Sequence, residues 1–173
     1  MAVNAHKQVV VCDASPLIFL AKLNRLELLE RSIGARTVVL RCVVEEILSE
    51  KATPLEAERL EAWLESVEVV DYNGSLVASQ ALSLSDRTSL AWAIEHEADW
   101  FLVDERLLRR FAKERGIRVI GFCGLLLRAA AQGILKKSEV QTLLDTSIRE
   151  HGFRISIELY QDICDRLKKS SRD

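Results

Sequence analysis

Two aspartates occupy equivalent places in this sequence. Val11-Cys12-Asp13 and Leu102-Val103-Asp104 each end a short apolar run with a carboxylate. Glu45 and Glu46 lie in a helical stretch that follows another such run, and Asp86 opens the helical stretch leading to Asp104. Four carboxylates gathered within a few ångströms repel one another by about 3 kcal/mol per pair at 5 Å and an effective dielectric constant near 20. They stay ionised only if cations share the site. Oxygen-only ligands suit Mg²⁺ or Mn²⁺ and not zinc. Such ions can orient a phosphodiester, activate a water and stabilise a leaving oxygen, with no His or Cys nucleophile. Each acid also has a plainer use: Asp13 or Asp86 as a helix cap, Glu45 or Glu46 as solvated surface.

The convergence depends on the elements that carry these acids. Residues 8–12 are a β-branched apolar run and read as a buried strand. Ser15-Pro16 follows as a helix start, with Ser as cap and Pro in the first turn, and the apolar spacing carries that helix to about Arg31. Residues 37–41 read as a second strand, 43–50 as a short helix, and Thr53-Pro54-Leu55-Glu56 as a capping box opening an acidic helix to about Ser66. Residues 67–70 read as a third strand. A helix over 85–97, capped by Ser85 or Asp86, leads to a fourth strand at 100–103. A helix over 105–115 stops at Gly116, before a fifth strand at 117–120. Helices are expected over 124–132 and, twice more, over 138–168. Alternating strands and helices predict a parallel sheet covered by helices on both faces, in which ligands bind beyond the carboxyl ends of the strands. Asp13 and Asp104 leave their strands at that edge. A helix antiparallel to the strands begins there too, which brings Asp86 to the same place.

Composition fits an enclosed globular domain. The chain has 173 residues, 49% of them hydrophobic and 29% charged, with no run near the ~20 apolar residues of a membrane helix. Its first residues show no signal-peptide h-region, so a cytoplasmic location without membrane association is expected. Cys12, Cys42, Cys123 and Cys164 form no CxxC pair and read as inert thiols. Trp63, Trp92 and Trp100 read as packing residues, and His6, His96 and His151 show no ligand spacing. The net charge of −2 conceals a polarity. Residues 45–71 hold nine acids against Lys51 and Arg59, whereas residues 104–137 hold nine bases against three acids. Within the basic segment, Arg106, Arg109, Arg110 and Lys113 recur at i, i+3, i+4 and i+7. They form one helix face that is either simply solvated or a track for RNA phosphates.

The run Val-Val-Cys-Asp13-Ala-Ser15-Pro16-Leu-Ile resembles the opening of PIN-domain proteins. It looks closest to a bacterial and archaeal subgroup of nucleic-acid-binding PIN proteins related to VapC-type toxins. The similarity continues through Val43-Val-Glu-Glu46-Ile, Asp86, Leu102-Val-Asp104-Glu105 with Arg109, Val119-Ile-Gly121-Phe-Cys-Gly124, Gly133 and Gly152-Phe153-Arg-Ile-Ser156, nearly the whole chain. The resemblance implies a three-layer α/β/α domain spanning 1–173, with a central parallel five-stranded sheet in a core of about 8–135 and a helical extension over 138–168. It implies Asp13, Glu46, Asp86 and Asp104 as catalytic, metal-binding acids, Glu46 being preferred over Glu45 because it precedes Ile47. Ser15 would hold a metal-bound water or a carboxylate, Glu105 neighbours the site, and Arg109 matches the family's arginine. The subgroup's usual Gly-Glu-x-Glu pattern is replaced here by Ser85-Asp86-Arg87-Thr88. Asp86 is one methylene shorter than Glu, and Thr88 supplies no charge.

The leading expectation is a Mg²⁺- or Mn²⁺-dependent ribonuclease. Through the resemblance it extends to the toxin of a toxin–antitoxin pair, with an antitoxin protein as partner. Resemblance and the apolar tail residues Phe153, Ile155, Leu159, Tyr160 and Ile163 also suggest a homodimer. The alternative is a non-catalytic RNA-binding or regulatory module on the same fold. An aspartyl-phosphate phosphotransferase fits less well, since that chemistry wants an acid two residues after Asp13, where Ser15 stands.

Overall fold

A computed structural model describes residues 8–49 and 52–169. Its centre is a five-stranded, all-parallel sheet in the order β3-β2-β1-β4-β5. The strands are β1 Val9–Cys12, β2 Arg36–Leu40, β3 Glu68–Val70, β4 Trp100–Leu102 and β5 Arg118–Ile120. All four residues of β1 are buried, and so are the last four of β2, as expected of strands covered on both faces. In register, Cys12 stands between Val39 of β2 and Leu102 of β4. The chain builds outward from β1 through β2 to β3, then crosses back to add β4 and β5 on the other side. The gap between β1 and β4 is therefore where the winding reverses and a crevice opens beyond the strand ends.

The described helices are α1 Ala14–Lys22, α2 Glu27–Ile33, α3 Arg41–Ile47, α4 Pro54–Leu64, α5 Leu84–Glu95, α6 Arg106–Glu114, α7 Phe122–Ala131, α8 Lys137–His151 and α9 Ile157–Lys169. They flank the sheet in a three-layer α/β/α arrangement. Val10, Val11, Leu17, Leu20, Phe101, Leu102 and Phe122 have no exposed surface and form the middle of the core. The capping box at α4 forms as the sequence predicts: Glu56 N–H donates to Thr53 Oγ1 at 3.3 Å, and Thr53 N–H to the Glu56 carboxylate at 3.1 Å.

Several boundaries differ from the sequence reading. The single helix expected to run to Arg31 is two helices. The chain leaves the helix after Lys22, and Asn24 takes a left-handed conformation (φ 54°) that Asn tolerates better than most residues. Arg59 of α4 fixes this break, donating to the carbonyls of Ala21 and Lys22 at 3.0 and 3.2 Å. Ser15 is not a cap, because α1 already begins at Ala14 with Asp13 in the N-cap position. Helix α5 is capped by Ser83 rather than Ser85 or Asp86. Helix α7 starts at Phe122, two residues earlier than expected. The predicted end of α3, Glu50, lies outside the described residues, as do Lys51 and His6. Among the described residues, no helix is long and apolar enough to cross a membrane.

Candidate active site

Asp13 is the inner acid. Its backbone N–H donates to Leu102 O at 2.9 Å, which ties the end of β1 to β4, and its side chain is 6% exposed. It makes no side-chain capping bond, so the cap explanation does not account for it. Burial pushes its carboxyl up to about 7; the Ala14 amide offsets this in part, and the charges of Asp86, Glu46 and Asp104 add to the rise. The three other acids singled out in the sequence are thus all near enough to act on Asp13.

Asp104 follows β4 at the same edge. Its Oδ1 accepts the Phe122 amide at 2.9 Å, at the first residue of α7. Its Oδ2 is buried with no hydrogen-bond partner among the described residues. Burial raises this carboxyl also, opposed by the Phe122 N–H and by the Arg109 guanidinium. Arg109 turns back from α6 and donates from Nη1 to Val103 O at 2.7 Å. Gly121 makes room for both groups. A Cβ there would overlap Asp104 Oδ1, lie 2.9 Å from Arg109 Nη1 and approach Val103 O to 3.3 Å.

The other two acids are less enclosed. Asp86 is half-buried, with Oδ2 accepting Ser83 N–H at 3.1 Å while its own N–H donates to Ser83 Oγ at 3.0 Å. It is therefore the third residue of a capping box, with its other oxygen left over. Glu46 is exposed on α3, beside a cavity of about 300 Å³ walled by Ile18, Ile47 and Leu60. Glu45 borders a different groove with Asp71, Tyr72 and Thr88 and is not among the charges acting on Asp13. Ser15 stands half-buried in the first turn of α1. Thr88 is buried and donates to Leu84 O at 2.7 Å, so its hydroxyl serves its own helix. Glu105 is the N-cap of α6, and its carboxylate accepts the Leu108 N–H. Among the described residues, no three His, Cys, Asp or Glu side chains are grouped closely enough to encircle a metal ion.

The basic face divides. Arg106, Arg110 and Lys113 are exposed along a groove of about 710 Å³ that reaches Asp104. Arg110 pairs with Glu114 at 3.6 Å, and Arg109 is the member drawn inward. Burial drives the Cys12 thiol upward and pushes Cys123 up to about 12, so both stay protonated and un-nucleophilic. His96 stacks on Trp92 at 4.1 Å, a packing role for both rings. Sequence reasoning did not single out the Phe122 amide or the close fit at Gly121. The signal was present in the Gly121-Phe122 pair that opens α7, but only the fold shows that it faces Asp104.

The family model for DUF3368, a PIN domain, matches residues 9–169. The chain belongs to the PIN-domain family. PIN domains are typically nucleases, and they generally use divalent metal ions. Among solved structures, this PIN domain is similar to a PilT N-terminus domain protein from the hyperthermophilic archaeon Sulfolobus solfataricus P2. The two share 16% identity and a TM-score of 0.49, over 86% of this chain and 100% of the other. No curated protein matches this PIN domain.

Proposed function

We propose that this PIN domain is a divalent-metal-dependent ribonuclease that hydrolyses RNA phosphodiester bonds at Asp13, Glu46, Asp86 and Asp104. The observation that carries the reading is the state of its two inner acids. Asp13 is buried and feels the charges of three other carboxylates, and Asp104 keeps a buried oxygen without a donor among the described residues. A native fold leaves a buried carboxylate oxygen unpaired only at a cost, and a ligand that arrives later relieves it. The donor set, all carboxylate oxygen, fits Mg²⁺ or Mn²⁺. The looseness of the cluster fits too, because Mg²⁺ keeps several waters and takes only one or two protein carboxylates. When bound, such an ion supplies positive charge for the phosphodiester and a water of lowered pKa.

The chain's own groups would divide the work. Asp13 and Asp104 would be the inner ligands, and Glu46 and Asp86 would orient water from the rim. The Phe122 amide and Arg109 hold Asp104 and the end of β4 in place. Arg106, Arg110 and Lys113 would draw the phosphate backbone toward the acids, against the repulsion of the carboxylates. The test is cleavage of a labelled RNA with Mn²⁺, with Mg²⁺ and in EDTA. Cutting with metal, none in EDTA and none by Asp104→Asn support the reading. Undiminished cutting in EDTA refutes it.

One observation favours a second reading, a PIN domain that binds RNA without cutting it. Asp86 is engaged by its capping box and the Thr88 hydroxyl by Leu84 O, and among the described residues no three ligands are drawn together. RNA binding with no metal-dependent cleavage would decide for it. The homodimer expected from the sequence remains part of the proposal, with Ile157, 73% exposed at the start of α9, as an apolar contact for the second copy.

A further inference from the structure

A second groove, of about 420 Å³, also reaches Asp104 and Arg109 but is not lined by Arg106, Arg110 or Lys113. One wall belongs to β5 and α7. The other is the C-terminal segment: Phe153, Arg154 and Ile155 ahead of α9, then Leu159, Asp162 and Arg166 on it. This wall is fastened to the acid's own support. The Phe153 ring packs edge-on against Phe122 at 5.0 Å and against Phe19 at 4.9 Å, and the Phe122 amide is the donor that holds Asp104. The residue after that anchor, Arg154, is exposed and has no ion-pair partner among the described residues. Arg166, on α9, pairs with Asp162 at 2.8 Å, and its side chain stays 65% exposed.

We propose that residues 153–166 form the second wall of the nucleic-acid cleft, with Arg154 and Arg166 receiving phosphates of a single RNA strand in a groove separate from that of Arg106, Arg110 and Lys113. This rests on the ribonuclease reading and adds the path of the strand. Two features favour a single strand as the occupant. Single-stranded nucleic acid needs cations along its backbone and apolar surface for its bases. The groove offers Arg154 and Arg166 for the first, and Leu127, Ile155 and Leu159 for the second. The two grooves also share Asp104 and Arg109, so a strand laid through both would bring one phosphodiester past the acids, with cations in each groove.

The experiment measures binding of a fluorescein-labelled, mixed-sequence single-stranded RNA by anisotropy in EDTA, from 0.05 to 0.5 M salt. It compares wild type, Arg154→Ala/Arg166→Ala, Arg154→Lys/Arg166→Lys and, as a control outside the groove, Lys168→Ala. Each lost phosphate contact lowers the salt slope by about 0.7. The double Ala variant should therefore lose about 1.4 of slope and bind about 25-fold more weakly at 0.1 M. The double Lys variant should recover most of both, and Lys168→Ala should match wild type. Melting curves confirm that the variants are folded. If wild type binds RNA and the double Ala variant keeps its slope, the C-terminal wall is not part of the cleft, and the ribonuclease reading stands without it. If wild type binds no RNA, the proposed wall is overturned, and the cleavage assay with metal decides the ribonuclease reading separately. Weakening that Lys does not restore marks a packing role for the arginines and also refutes the proposal.

Discussion

Replacing Asp13 by Asn should stabilise the metal-free protein at pH 8, although it alters the most buried acid of the site. The Asp13 carboxyl rises from 3.8 to about 7 in the fold, chiefly through burial. Between those values the native state holds a proton that the unfolded chain releases. Stability is therefore fully present below pH 4, is lost as pH rises toward 7, and is level above that. The gap corresponds to about 4 kcal/mol carried as a penalty at pH 8. Asn has nearly the same shape and no charge, so it removes most of this penalty. At 2–4 °C per kcal/mol for a domain of this size, the variant should melt roughly 8–16 °C above wild type at pH 8 in EDTA. At pH 4.5 the difference should shrink to a few degrees, because wild-type Asp13 is then largely protonated. Mg²⁺ should raise wild type at pH 8 and leave the variant nearly unmoved, since an ion that binds only the native state stabilises it by mass action. The assay is differential scanning fluorimetry at two pH values, with and without metal. A variant that melts at or below wild type at pH 8 in EDTA would refute the reasoning, leaving Asp13 as an ordinary N-cap of α1.

Two further outcomes test how Asp104 is supported. Gly121→Ala puts a methyl group against Asp104 Oδ1 and Arg109 Nη1; it should cost about 1–3 kcal/mol by melting and reduce RNA cleavage much more than Gly124→Ala, whose new Cβ meets only the Ile120 side chain, at 3.2 Å. Arg109→Ala removes the cation that opposes the rise of Asp104, so the acid limb of the pH–rate profile should move to higher pH, with Arg109→Lys moving it back; a profile that does not move assigns Arg109 to the support of the Val103 carbonyl alone.

The strands and their order of appearance were legible because β-branched apolar runs and their turn residues are local signals. The capping box at Thr53 and the glycine stop at Gly116, which has positive φ, were legible for the same reason. The break at Asn24 was not, since it depends on Arg59, distant in sequence, meeting the carbonyls of Ala21 and Lys22. The cap of α5 was legible in principle. Ser83-Leu-Ser-Asp86 is itself a capping-box pattern, but Ser85 next to Asp86 offered a competing start. At the site, two aspartates at strand ends were enough to place Asp13 and Asp104 at one sheet edge. Which of Glu45 and Glu46 turns toward them depends on the rotation of α3, fixed by burial of Val43, Val44 and Ile47, a tertiary fact. Arg154 and Arg166 carried no signal, because nothing in their local sequence says that Phe153 docks on Phe122.

The pairing of β1 with β4 also has a consequence during synthesis. Asp13 leaves the ribosome before Asp104, which reaches it only after the intervening β2 and β3 have been laid down on the opposite side of β1. The Phe122 amide that steadies Asp104 emerges later still. A nascent chain that stops short of α7 can bury β1 and yet hold no assembled set of acids. The four acids are thus brought together only once the chain has been made through α7.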